Sequence, residues 1–479
     1  MTAASTRPWR VVVIGGGISG LSAAWFLRQR PDPPEVIVIE AAERPGGKLR
    51  LGDLGGNAID AGAESMLARR PEAANLARAL GLGDRLESPT TTAAQLLVDG
   101  VLRPFPSGTV LGVPGDLKAL AASGVLTRRG LLRVRADRVM PSAPQTADVA
   151  VGRYVTARLG LQVTERLVEP LLGGVYAGHA DQLSLQATLP AIAQGRARGE
   201  RLTAAAAAIR GATGGTADGS APFVGLVGGL GVLPERLAST PGVEVRTRTT
   251  ARQVTRGADG RFLVVCGPVP RPQTLDADAV VVAVPASAAA RVLRDAAPSA
   301  AALLEVVEYA SVAIIALGYR PSAVPARALR GSGHLAPPRE GRPVKAATYA
   351  SQKWAWLRAA VPDLMIVRAS VGRQGEVADL QRDDAGLVQL VREDIADTLG
   401  ITARPQVGSV FRWGGALPQY TVGHTSRARR LHQLVDEVPG LAVCGAAVDG
   451  VGIAACIASA RVAADQVLQA RDTDATMAR

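Results

Sequence analysis

Residues 11–27 read VVVIGGGISGLSAAWFL, an apolar run that breaks on three glycines and resumes with helical spacing. The pattern predicts a strand at Val11–Ile14, a helix from Ser19 to Arg28 and, after the break PDPP at 31–34, a second strand from Val36 to Glu40. That is one βαβ unit of the usual length. Gly15, Gly17 and Gly20 form GxGxxG where strand hands over to helix. The first glycine of such a fingerprint makes the tight turn, the second lets backbone approach a pyrophosphate, and the third packs helix on strand. The helix N-terminus adds free N–H groups and partial positive charge. Glu40 follows twenty residues after Gly20, at the end of the next strand, where a carboxylate can accept from a ribose diol.

Two further glycine-rich turns follow. EAAERPGGKLR at 40–50 places Arg44, Gly46, Gly47 and Lys48 just after the acid, as expected where FAD is held in an extended form. GAAVDGVGIAACIASA at 445–460 offers a second turn into a helix, whose dipole could stabilise negative charge on the pyrimidine end of a reduced flavin.

Composition excludes several classes. The chain has 479 residues, enough for two or three domains, and 47% hydrophobic residues, ordinary for a globular protein. Cys266, Cys444 and Cys456 form no CxxC and no disulfide framework, and the four histidines show no metal-ligand spacing, so no metal site is expected. The net charge of +12 comes mostly from arginines spread without aromatic interleaving, which argues against nucleic acid. Neither apolar stretch reads as a transmembrane helix or a signal peptide, and a cytoplasmic location is expected. LTRRGLLRVRADRV at 126–139 leaves peripheral contact with an anionic membrane open beside the plainer reading of an exposed helix face.

Organised along the chain, these patterns predict an α/β plus α+β protein. A discontinuous, Rossmann-like FAD-binding domain comprises 1–71, 223–290 and 406–479; a mainly helical domain at 72–205 is inserted; a mixed-sheet substrate domain spans 291–405. TAAAAAIRGATGGTADGSAP at 203–222 reads as a flexible loop.

EAAERPGGKLR, DAGAESMLARRPEAANLARALGL, EPLLGGVYAGHADQLSLQATLP, GLVGGLGVLPERL, RWGGALPQYTVGH and CGAAVDGVGIAACI together resemble the oxygen-dependent porphyrinogen oxidases of heme biosynthesis, FAD enzymes of the flavin amine oxidase superfamily. The resemblance spans nearly the whole chain. It implies a flavin that takes hydride from a porphyrinogen and is reoxidised by O2, giving H2O2, in three two-electron cycles. By position it implies cofactor contacts at Gly15, Gly16, Gly17, Ile18, Ser19, Gly20, Glu40, Ala41, Gly47, Lys48, Gly62, Ala63, Glu64, Ser65, Val254, Trp413, Ala446, Val451, Gly452 and Ile453. The chain departs from the pattern at Gly62-Ala63-Glu64, where the family often has Gly-Pro, and at Ala460, where glycine is common.

On the substrate side the resemblance points to Gly174, Val175 and Tyr176, which would border the macrocycle, and to Arg70, whose guanidinium fork suits a propionate. His179 and His424 sit in turn-like contexts, and no catalytic residue is assigned, because porphyrinogen protons can leave to water or to another pyrrole. The basic chain favours coproporphyrinogen III, with four propionates, over protoporphyrinogen IX, with two. The second substrate, and a different amine oxidase or desaturase chemistry on the same fold, stay open. A ferrochelatase would be the next partner on the coproporphyrin route.

Overall fold

The computed structural model describes residues 8–212 and 221–477. At its centre lies a five-stranded parallel sheet in the order Val243–Arg246, Glu35–Ile39, Arg10–Ile14, Ala279–Val282, Leu441–Val443. Its inner strands are apolar and buried beyond the opening Arg10 and Glu35 because both faces are covered. On one face the helices Ile18–Arg28 and Ile453–Met477 pack together around Leu21, Leu27, Ile457 and Val467. On the other, an antiparallel meander of Ala251–Arg256, Phe262–Cys266 and Gln273–Ala277 closes over Val12, Ile14, Ile37 and Val280. Strand Arg10–Ile14 lies between the strand that follows it, Glu35–Ile39, and one that returns from far downstream, Ala279–Val282, so the turn after Ile14 lies at the switch point, where open sheets of this kind bind ligands.

A second, seven-stranded mixed sheet runs in the order Val407–Pro418, Tyr309–Tyr319, Met365–Val371, Val344–Tyr349, Gly333–Leu335, Ala94–Val98, Val101–Pro104. One face packs on helix Asp384–Leu399 through Ile315, Leu317, Tyr349, Val367 and Val391. The third core is helical and gathers Val151, Val155, Leu167, Leu172, Ile192 and Leu202.

Three sequence boundaries differ from what the structure shows. Residues 94–104, read as part of the helical segment, form a hairpin on the Asp99-Gly100 turn and complete the edge of the seven-stranded sheet. Asp99 takes φ +51° and Gly100 φ +75°, the left-handed pair that such a turn requires. Strand Val407–Pro418, assigned to the cofactor domain, pairs instead with Tyr309–Tyr319. Of the 203–222 loop, residues up to 212 belong to helix Leu202–Ala212, where alanine-rich sequence forms helix and buried Asp137 accepts from Thr203 N at 2.9 Å; residues 213–220 lie outside the described part.

Candidate functional site

The first turn is stripped for contact. Gly15 takes φ +111°, and a Cβ there would meet Ala283 O at 2.7 Å; a Cβ on Gly20 would meet Gly15 O at 1.9 Å, so both must be glycine for helix to sit on strand. Gly17 differs, because a Cβ there would meet nothing within 4 Å. It caps helix Ile18–Arg28 without a side chain, leaving the N–H groups of Ile18, Ser19 and Gly20 unpaired within the helix and open space beside them. Glu40 is held at this turn: Gly16 N donates to its Oε2 at 2.7 Å and Ala42 N to its Oε1 at 2.8 Å. Each oxygen keeps a lone pair for a hydroxyl.

The second loop stacks on the first. Gly46 N donates to Gly16 O at 2.8 Å, and a Cβ on Gly47 would lie 3.2 Å from Gly17 Cα. Lys48 follows, with burial pulling its ammonium below the usual lysine range. Its carbonyl lies 2.1 Å from where a Gly62 Cβ would sit, and Trp413 Nε1 donates to Ala61 O at 2.9 Å. Trp413 therefore fixes the Ala61–Gly62 backbone.

The third loop, 445–452, leads into helix Ile453–Met477. A Cβ on Gly445, at φ +109°, would lie 2.9 Å from Ser19 Oγ, so this turn abuts the first helix. Its backbone is latched from behind. Gly445 N donates to Ser459 Oγ at 2.9 Å, Ser459 Oγ donates to Asp449 Oδ2, and Asp449 Oδ1 meets His432 Nε2 at 2.8 Å. Tyr420 OH donates to Ala446 O at 2.6 Å. A Cβ on Gly452, as on Gly17, would meet nothing within 4 Å. Two helix N-termini thus open onto bare glycines, with a fixed carboxylate beside the first, and the cradle fits an extended dinucleotide with an anionic centre.

Other positions expected from the resemblance fall differently. Val254 is fully buried in the meander core, which leaves only its backbone to meet a cofactor. Ala41 and Ala63 are exposed, Ser65 is half-buried, and Val451 packs on the helical core. Glu64 turns toward the second sheet, where Lys353 Nζ donates to its Oε1 at 2.6 Å and Arg368 to its Oε2. Burial alone would raise its carboxyl, but these two cations outweigh it and hold the group at about 2. Arg368 also donates to Gly62 O at 2.7 Å. Asp60, which accepts from Leu230 N at 2.8 Å, is raised by burial to about 7. Lys353, Arg368, Asp60 and Tyr420 escaped sequence reasoning; Asp60 and Tyr420 stood in quoted motifs without a role, and Lys353 and Arg368 arrive only through the fold.

Gly174 and Val175 are exposed on helix Glu169–Tyr176, which follows a π-helical turn at Thr164–Val168 and ends on Ala177 at φ +49°. A Cβ on Gly174 would lie 3.6 Å from Leu335 of the second sheet. Tyr176 is buried, its ring 5.7 Å from that of Tyr420, so the chain Tyr176, Tyr420, Ala446 joins this helix to the cofactor turn. From Leu335 the register continues through Ala346 and Ser370 to Ile314, a row of half-buried side chains across four strands. At the usual strand spacing the row spans about 14 Å. Arg70, by contrast, is exposed and forks onto Glu72 at 2.8 Å. His179 is held between Glu169 at 3.2 Å and Gln374 O at 3.0 Å. His424 is buried, lowered to about 4 by burial, and stacked on Tyr420 at 3.8 Å. Among the described residues no group of three potential metal ligands exists and no helix is long and apolar enough to cross a membrane.

The family model for flavin containing amine oxidoreductases matches residues 18–468, and the chain belongs to that family, with FAD as its cofactor. Within it, the chain is 32% identical to the coproporphyrinogen III oxidase of Bacillus subtilis (strain 168), covering 96% of this chain and 97% of that one. It is 35% identical to the coproporphyrinogen III oxidase of Mycobacterium tuberculosis (strain H37Rv), over 97% and 98% of the two chains. A solved structure from Exiguobacterium sp. 255-15, assigned provisionally as a protoporphyrinogen oxidase, superposes with a TM-score of 0.83 at 32% identity, covering 96% of this chain and 98% of the other.

Proposed function

We propose that the chain oxidises coproporphyrinogen III to coproporphyrin III, with three O2 reduced to three H2O2 as six hydrogens leave the macrocycle. The observation that carries the reading is the row Leu335, Ala346, Ser370 and Ile314, uncharged and half-buried across four strands, which begins at Leu335 beside the side-chain-free Gly174 of the facing helix. Such a slot suits a broad, flat ring. Full-length identity to two coproporphyrinogen III oxidases supports the choice of ring.

Bound FAD supplies the two-electron acceptor and the path to O2. The residues present do the rest. Gly17, Gly452 and the two helix N-termini would receive the pyrophosphate and the negative charge at the pyrimidine end, and Glu40 the ribose. Gly15, Gly16, Ile18, Ser19, Gly20, Gly47 and Lys48 form the walls of that cradle, with Trp413 fixing Gly62. Gly174 and Val175 would border the macrocycle, with Tyr176 anchoring them. Both ring nitrogens of His179 are taken up by Glu169 and Gln374 O, and His424 is buried against Tyr420 with only Nδ1 unpaired, so the reading assigns no protein base and the protons leave to water or a pyrrole nitrogen. The product would pass to a metal-inserting ferrochelatase in the cytoplasm.

The test is aerobic porphyrin fluorescence from the purified flavoprotein with coproporphyrinogen III and protoporphyrinogen IX side by side, autoxidation subtracted. Faster oxidation of the tetracarboxylate is expected. Faster oxidation of the dicarboxylate reverses the substrate assignment, and no oxidation of either returns the chain to the wider family.

A further inference from the structure

At one end of the slot two buried cations lack a full complement of negative charge. Lys345 precedes Ala346 of the row, and Arg373 follows Ser370 by three residues; they are 4% and 5% exposed. The Arg373 guanidinium donates to Ala336 O at 2.9 Å, next to Leu335, and lies 3.5 Å from Glu376, which is half exposed. Its Nε is buried and has no partner among the described residues. Lys345 Nζ, with three donors, bonds Gly372 O. Burial first, and then the charge of Arg373, lower its ammonium to about 7. His179, 3.8 Å from Glu376, already has Glu169 for itself. Two cations thus face one half-exposed carboxylate, and whenever Lys345 is protonated the cluster is short of negative charge in a place where an uncompensated charge is costly.

Bare backbone faces the unpaired Arg373 Nε. A Cβ on Gly173 would meet only the Nε of Arg373, at 3.6 Å, within 4 Å. Gly173 adjoins Gly174, so this bare backbone continues the side-chain-free face beside Leu335.

We propose that Lys345 and Arg373 form a carboxylate subsite, entered beside Gly173, that takes one propionate of the flat substrate. The assignment rests on the porphyrinogen reading above. A carboxylate there would complete the donors of both cations and cancel the excess charge. It would also fix the rotation of a ring that the uncharged row leaves free to turn.

The experiment compares coproporphyrinogen III with its tetramethyl ester, which keeps the ring and lacks the charges, on the holoenzyme. Arg373→Met is expected to raise KM for the acid about tenfold, leave KM for the ester unchanged, and be rescued in part by Arg373→Lys. Because Arg373 also ties down Ala336, a second variant guards against misfolding. Gly173→Ala adds one methyl in ordinary contact with Nε, favours the helix, and is expected to raise KM for the acid with FAD content unchanged. Equal losses on acid and ester, or an unaltered KM in Gly173→Ala, overturn the subsite alone. No turnover of coproporphyrinogen III by the unmodified chain overturns the porphyrinogen reading and the subsite with it.

Discussion

The Glu64 carboxylate accepts from the Arg368 guanidinium across 304 residues of chain, and this contact ties the cofactor-side loop to the second sheet. Lys353 completes the group, and all three side chains are 12% exposed or less. Glu64→Gln would leave two buried cations sharing a neutral amide. A loss of about 3–5 kcal/mol is expected in urea unfolding at pH 7. The carboxyl titrates below its unfolded value, so the contribution is intact above the ordinary glutamate range and lost as pH falls toward 2. A wild-type and variant pair of equal stability at pH 7 would dissolve the clamp.

Asp60 works in the opposite direction. Its folded value of about 7 lies above the unfolded one, so the folded state holds a proton that the unfolded chain has released. Its contribution is present at low pH and fades as pH rises from about 4 to 7. Asp60→Asn keeps an acceptor for Leu230 N–H and removes the titration. The variant is expected to melt several degrees above the parent at pH 8 and nearly with it at pH 4. Parallel curves across that range would show that Asp60 is not the group responsible.

The glycine turns were legible because their chemistry is local: strand, bare turn, helix and acid lie within thirty residues. The hairpin at 94–104 was not, since a short apolar run gives no period that separates strand from helix, and only its pairing with Gly333–Leu335 makes it part of a sheet. Glu64 illustrates the other limit. Its position matched a cofactor segment, yet its partners come from 289 and 304 residues downstream, and no spacing within GAES announces them. Arg70 shows the local case, since its fork lies on Glu72 only two residues away.

Behind the third turn, Ser459 accepts from Gly445 N–H only while Asp449 holds its hydroxyl proton. Ser459→Ala removes the acceptor and frees the turn to shift against Ser19. FAD affinity, measured by recovery of flavin fluorescence on dilution, is expected to fall about tenfold. Asp449→Asn should fall between the two, because an amide oxygen can still accept from Ser459. Unchanged affinity in both would make the latch a packing detail.

Gly17 and Gly20 stand three residues apart and should separate folding from cofactor binding. A methyl on Gly20 would lie 1.9 Å from the Gly15 carbonyl, backbone that cannot move without breaking the strand-to-helix joint, so Gly20→Ala is expected to yield little folded protein. A methyl on Gly17 meets nothing within 4 Å, and its φ of −78° suits alanine, so Gly17→Ala should leave the apoprotein as stable as the parent. The space it enters is the space the pyrophosphate needs, and FAD content on purification should drop sharply. Gly452→Ala, equally unobstructed at the second helix N-terminus, should behave the same way. Full flavin occupancy in stable Gly17→Ala and Gly452→Ala proteins would mean that the cofactor lies elsewhere, whereas colourless and stable variants would place it against both helix ends.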